Sequence, residues 1–204
     1  LFAVSVRLQT LTGPPLLPLL PALAQLRITV FRDWPYLYDG NDAYEQHYLR
    51  HYAESPDAMI VVAFADDRPV GASTCIPLLQ AGAQICAPFT AQNLDPDSYC
   101  YFGESVLLSA WRGQGIGAAF FREREAHARK LRRFNNVTFC AVQRPADHPA
   151  RPLDYVPLDQ FWQNRGFSPR PDLMCRMSWL DVGDSAETQK PLMFWVKSLR
   201  TAAS

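Results

Sequence analysis

The sequence predicts a mixed α/β (α+β) fold, a central β-sheet with helices on both faces. Two observations lead there. Apolar, β-rich runs alternate with stretches of helical periodicity along all 204 residues. The early runs are joined by a short turn, as antiparallel neighbours are, whereas the runs at 99–109 and 136–143 flank a helical stretch, as in a right-handed parallel crossover. No repeat, linker or shift in composition divides the chain, so residues 1–204 read as one domain.

The elements follow in order. "FAVSVRLQ" (2–9) is a first strand. Leu16, Leu20, Leu23, Leu26 and Val30 recur at helical spacing, with Pro18 and Pro21 expected near the first turn, where proline costs little. "FRDWPYLYDGND" (31–42) breaks that pattern, and Asn41 then caps a helix whose Tyr44, Tyr48 and Tyr52 share one face. Residues 58–78 form a hairpin around "DDRP", and 81–98 read as a loop. A continuous strand at 99–109 runs into a glycine turn and a helix over 116–134, supported by a Glu125–Arg129 pair. A strand at 136–143, the proline-broken "RPADHPARP", a short helix at 158–165 closed by Gly166, and strands at 173–179 and 192–199 complete the order. The last strand is hydrophobic and is expected at an unpaired edge, where a second copy covers it as a homodimer.

Composition excludes several classes. Net charge is zero, so nothing global draws the chain to nucleic acid or an anionic membrane, and "RKLRR" (129–133) reads as the solvated end of a helix. Five cysteines, an odd number with no CxxC pair, argue against a disulfide framework or a zinc site and for a cytoplasmic protein. His47 and His51 share a helix face without a third ligand, so no metal is expected. "PPLLPLLPALAQL" (14–26) is too short to span a bilayer and lacks the basic start of a signal peptide. Opening on Leu1, the chain is expected to lack at least one residue at its front.

The densest signal is "WRGQGIGA" (111–118), with glycines at 113, 115 and 117 between a strand and a helix. A helix N-terminus leaves backbone N–H groups unpaired and carries a partial positive charge. Glycines let those amides converge on a phosphate, and Arg112 stands at the lip. The stretch also fits G-x-G-x-x-[GA], but four residues separate it from the strand and no carboxylate follows near 133–143, as a dinucleotide site would require.

"RGQGIG" resembles the [RQ]-x-x-G-x-[GA] motif of the GNAT superfamily of N-acetyltransferases, and the order of elements around it, ending in "FWQNRGF", is similar too. The resemblance implies acetyl-coenzyme A as co-substrate, held by Arg112, Gly113, Gln114, Gly115, Ile116, Gly117 and Ala118, with the pantetheine arm beside Val106, Leu107 and Leu108 between two splayed strands. It implies a backbone N–H near Leu107 as oxyanion donor. Glu104 is the candidate base, provided a β-bulge turns it, since on a regular strand it faces away from Leu107. The family's usual acid, a tyrosine, is replaced by Trp162, which has no acidic proton at ordinary pH, so Tyr155 is the candidate acid. Trp34, Tyr36 and Tyr38 are candidate substrate contacts, with Asp33, Asp39, Asp42 and Glu45 to attract the amine of a small molecule. A catalytically weak coenzyme A-binding module of the same fold is the alternative.

Overall fold

The computed structural model describes residues 5–200. Its strands are β1 (Val6–Leu11), β2 (Met59–Ala65), β3 (Arg68–Pro77), β4 (Tyr99–Tyr101), β5 (Ser105–Leu107), β6 (Asn136–Val142), β7 (Ser168–Trp179) and β8 (Thr188–Ser198). Its α-helices are α1 (Leu20–Phe31), α2 (Asp42–Glu54), α3 (Ala83–Ala91), α4 (Ile116–Lys130) and α5 (Asp159–Gln163). The strands lie in the order β1-β2-β3-β4-β6-β8-β7, with β5 paired to β3 alone. Among the described strands only β4 and β6 pair in parallel. This is the mixed sheet the sequence predicts. Residues 2–4 of the expected first strand lie outside the described residues.

Local chemistry explains the ends of the elements. Asp66 and Asp67 take φ of 46° and 61°, the left-handed pair that a two-residue hairpin needs. The Asn41 side chain accepts from the Tyr44 N–H at 3.0 Å and caps α2. Prolines hold 14–19 in a 3₁₀ turn, so α1 starts at Leu20, with Pro21 in its first turn. The stretch Pro14–Phe31 is long and apolar enough to cross a membrane. Its Leu16, Leu20, Leu23 and Leu26 are instead buried in a core shared with the sheet and α2.

Two cores result. One, beneath α1, α2 and α3, gathers Leu23, Tyr52, Ile76, Phe89 and Phe194. The other, beneath α4, gathers Val61, Phe102, Phe120, Phe139 and Trp195, with Phe161 and Trp162 of α5 packed on it. The faces sort by strand alternation: neighbours Phe194 and Trp195 point into opposite cores.

Five expectations need correction. The 81–98 segment is not all loop, for it holds α3. Pro88 masked the helix, but Ile85 and Phe89, one turn apart, bury against the sheet, and Phe89 meets the Tyr99 and Phe194 rings edge-on. The strand at 99–109 is two strands, β4 and β5, with an interruption at 102–104. Glu125 does not pair with Arg129: it takes Lys197 Nζ at 2.7 Å, while Arg129 donates to the Leu199 carbonyl at 2.6 Å. The helix that carries them ends at Lys130, short of 134. Finally, β8 is no edge. It lies between β6 and β7, and its apolarity reflects burial on both faces, so that ground for a homodimer is gone. The edge is β7, which begins at Ser168 and carries a register break between Arg170 and Met174. Such a bulge, with charges beside it, blunts an exposed edge.

Gly103 sits where a β-carbon would lie 2.2 Å from the Tyr52 hydroxyl and 2.6 Å from Thr74 Oγ1. Replacing it by alanine is expected to lower the unfolding free energy by about 1–3 kcal/mol through overpacking, read from the urea midpoint.

Candidate active site

The sheet opens at one place. Ser73 faces Ser105 while Ile76 faces Tyr101, so residues 102–104 on one strand oppose only 74–75 on the other, a β-bulge. Phe102 N–H makes the last tie to β6, reaching the Thr138 carbonyl at 2.7 Å. Beyond it the chain bonds to β3 alone. The Glu104 carbonyl is held by three donors: Thr74 N–H at 3.0 Å, Ser73 Oγ at 3.0 Å and Arg124 Nη1 at 3.3 Å. Arg124 is buried between the Phe102 and Phe121 rings, at 4.3 and 4.6 Å. Burial lowers its pKa to about 10, against the pull of Cys75, Cys100 and Glu104, so it remains a cation at neutral pH.

Strand alternation then orients Val106, Leu107 and Leu108. Leu108 N–H bonds back to Val70 of β3 at 3.0 Å, and Ala72 lies opposite Val106. The Leu107 N–H and C=O therefore turn to the side from which β6 has diverged. Arg112 reaches that side and donates from Nε to the Leu107 carbonyl at 3.1 Å. Next comes the glycine turn. Gly113 and Gly115 have φ of 76° and 81°, and a β-carbon at either would meet nothing within 4 Å. Among the described residues, the main-chain N–H groups of Gly113, Gln114, Gly115, Ile116, Gly117 and Ala118 have no protein acceptor, and Gln114 bonds only through its side chain to the Ala110 carbonyl. Six amides without acceptors, at and just before the head of the 15-residue α4, suit an anion. A groove lined by Ala118, Arg122, Asn164, Arg165 and Lys197 adjoins it. Burial and the charge of Arg122 both lower the pKa of Arg165, as for two cations facing one place.

Glu104 is buried, its side chain 4% exposed. Oε1 lies 2.7 Å from Arg27 Nη1, and Oε2 accepts from the Tyr48 hydroxyl at 3.0 Å. Tyr52 extends the chain, 2.9 Å from Tyr48. Arg27 also bonds through Nε to Glu45, which is fully buried. Burial works against the Arg27 charge, but Glu104, Tyr48 and Glu45 outweigh it and raise its pKa. Burial, then the Glu104 charge, raises the pKa of both Tyr48 and Tyr52, so these phenols stay protonated. Sequence reasoning missed this network. Its signal was present: Arg27 is the sole charged residue between 11 and 31.

The substrate candidates separate. Trp34 packs its ring on His148 at 5.1 Å and edge-on to Tyr155 at 5.9 Å, so the structure joins Trp34 to Tyr155. Burial and Asp159 raise the Tyr155 pKa. Tyr36 lies against Phe31 at 4.6 Å, and its pKa is raised by burial, with Cys140 and Glu104 adding and Arg27 opposing, which places its phenol in the field of the Glu104 cluster. Tyr38 turns to Glu45, which with burial raises its pKa. The acidic residues are largely taken: Asp39 pairs with Arg32 at 2.7 Å, Asp42 accepts from Gln25 and Gln46, and Glu45 holds Arg27. Trp162, where the usual tyrosine would stand, packs on Phe139 and Trp195 at 5.0 and 5.1 Å.

The 31–41 segment is clamped to the sheet end. Arg144 donates to the Pro35 and Tyr36 carbonyls at 3.0 and 2.7 Å and grips Asp181 with both terminal nitrogens at 2.7 and 2.9 Å. Lys190 Nζ lies 3.1 Å from the same carboxylate.

Comparison with known proteins decides the family. The model of the acetyltransferase (GNAT) family matches residues 23–153. The chain belongs to this family. A search of curated proteins finds no match. Solved structures share the fold of this GNAT chain. A ribosomal-protein-alanine N-acetyltransferase from Brucella melitensis is 16% identical, with a TM-score of 0.62, over 95% of this chain and 99% of its own. An acyl-CoA N-acyltransferase from Pseudomonas aeruginosa is 17% identical, with a TM-score of 0.59, over 95% and 100%. A PaiA N-acetyltransferase from Thermoplasma acidophilum, in complex with coenzyme A, is 13% identical, with a TM-score of 0.55, over 95% and 99%. Family membership supports acyl transfer from a coenzyme A-based donor, and the amide cradle of this GNAT chain fits such a donor's phosphates.

Two predictions follow from the geometry. In Gly115→Val, a β-branched residue at φ 81° is strained, so the turn must shift. Coenzyme A affinity by calorimetry is expected to fall by about tenfold or more, as amides lose aim. For the clamp, burial opposes the Asp181 charge, but bonds from Arg144 and Lys190 prevail and depress its pKa. A depressed carboxyl stabilises the fold above the unfolded carboxyl range, about pH 4, and that contribution is lost as pH falls through the folded value. Between pH 7 and pH 3 the melting temperature of the wild type is therefore expected to fall more steeply than that of Asp181→Asn.

Proposed function

We propose that the protein transfers an acetyl group from acetyl-coenzyme A to the primary amine of a small molecule in the cytoplasm. The observation that carries this reading is the row of unpartnered amides at 113–118, set beside a strand whose outer edge lacks a neighbour. The amides and Arg112 would hold the pyrophosphate, and Arg122, Asn164 and Arg165 the remaining phosphate. The open edge of Val106–Leu108 would take the pantetheine arm as an added strand. When bound, acetyl-coenzyme A supplies an activated thioester.

The chain's own groups do the rest. The Leu107 N–H, free of β3, donates to the carbonyl oxygen as it gains charge. Glu104 accepts the proton that the amine loses, directly or through a water, as the C–N bond forms. The Tyr155 phenol, kept protonated by its raised pKa, donates to the sulfur as the C–S bond breaks. Trp34, Tyr36 and Tyr38 wall the acceptor, and the Arg144 clamp sets their place. The products are an amide and a free thiol.

A second reading, a coenzyme A-binding module with little turnover, is favoured by Trp162, which places an apolar packed ring where the usual acid stands. Thiol release from acetyl-coenzyme A across a panel of primary amines separates the two. Turnover by wild type, with Glu104→Gln lowering kcat by about a hundredfold and leaving coenzyme A affinity intact, supports the enzyme. Coenzyme A binding with no thiol release on any amine supports the module.

A further inference from the structure

We infer that Arg27 is a positioning residue for the reaction proposed above and acts through Glu104; the inference rests on the acyl-transfer reading. Arg27 is a buried cation on an otherwise uncharged helix, its side chain 11% exposed. A lone guanidinium would not be retained there without partners, because a buried charge destabilises the fold unless it is paired. Its partners are two carboxylates on different elements. Nη1 meets Glu104 Oε1 at 2.7 Å, at the bulge of the sheet, and Nε meets Glu45 Oε2 in the first turn of α2. The guanidinium also lies 4.3 Å from the centre of the Tyr48 ring, and the hydroxyl of that ring donates to the other Glu104 oxygen at 3.0 Å. Bonded at two nitrogens and stacked on a ring, the plane of Arg27 has one orientation. Glu104 is thereby held at both carboxylate oxygens, while its own carbonyl is held by three donors.

The charge arrangement matters as much as the geometry. Two carboxylates share one guanidinium, and the neighbouring phenols of Tyr36, Tyr48 and Tyr52 are all kept protonated by burial first of all. Glu45 shares the Arg27 guanidinium, so Glu104 holds one of its two bonded nitrogens rather than the whole fork. Arg27 and Tyr48 thus fix the direction of the carboxylate that the acyl-transfer reading makes the base. Lysine at 27 would keep the charge but would lack the fork that bridges two carboxylates and fixes both.

The test is a double-mutant cycle in turnover. Coenzyme A release from acetyl-coenzyme A is followed over the amine panel for wild type, Arg27→Met, Glu104→Gln and the double variant. Arg27→Met is expected to lower kcat about thirtyfold with coenzyme A affinity within about twofold of wild type, and the double variant is expected to match Glu104→Gln within about twofold, because a residue acting through Glu104 has nothing left to position. Arg27→Lys is expected to fall between wild type and Arg27→Met. If Arg27→Met does not fold, Arg27→Lys and Glu45→Gln carry the same cycle. Losses that multiply in the double variant, or a lowered melting temperature with unchanged kcat, overturn the inference and leave the acyl-transfer reading standing. A wild type that binds coenzyme A but releases no thiol with any amine overturns that reading, and the inference with it.

Discussion

One extra residue opposite Thr74 and Cys75 organises the rest of the molecule. The bulge at 102–104 ends the pairing of β4 with β6 and leaves β5 bonded on one side only. A strand edge left open inside a sheet is costly unless its polar groups find partners. The edge survives here because the bulge itself is over-bonded. Thr74 binds it through main chain and hydroxyl, Ser73 through its hydroxyl, and Arg124 from beneath. The same residue that breaks the ladder carries the Glu104 side chain, so opening the sheet and aiming the carboxylate are a single event.

The two cores divide the labour across that opening. On the α4 side the packing is aromatic, with Phe102, Phe121, Phe139 and Phe167 in mutual edge-on or tilted contact around the buried Arg124. This side fixes α4, and with it the direction of the free amides at 113–118. On the α1–α2 side the packing is interrupted by a buried polar cluster, Arg27, Glu45, Glu104, Tyr48 and Tyr52. Such a cluster adds little net stability, and apolar residues of the same volume would serve the fold at least as well. Its place at the bulge, around the Glu104 carboxylate, is what the acyl-transfer reading would account for.

The acceptor side follows another logic. The 31–41 segment and the 144–158 segment hold no long helix or strand. They are joined by Trp34 against His148 and Tyr155, and by Arg144 reaching the Pro35 and Tyr36 carbonyls. The side chains of this region therefore rest on a clamp rather than on the sheet. The fold itself is shared with solved structures at 11–17% identity.

By itself the sequence determined most of the order of elements, the cap at Asn41, the hairpin turn at Asp66–Asp67, the glycine cradle and its family, because each depends on neighbours a few residues apart. It also singled out Glu104; the bulge is there, but the Glu104 side chain shares the α1–α2 side with Val106 while Leu107 packs on the other core. The tertiary structure alone decided where the strand breaks, that β8 is central and β7 the edge, that Ile85 and Phe89 make a helix despite Pro88, and that Glu125 serves Lys197 rather than Arg129. It alone brought Arg27 and Glu45 to Glu104. Those outcomes are contacts between residues far apart in the chain. The free energy of burying and pairing such groups has no trace in local periodicity, apart from a lone charge in an otherwise uncharged helix.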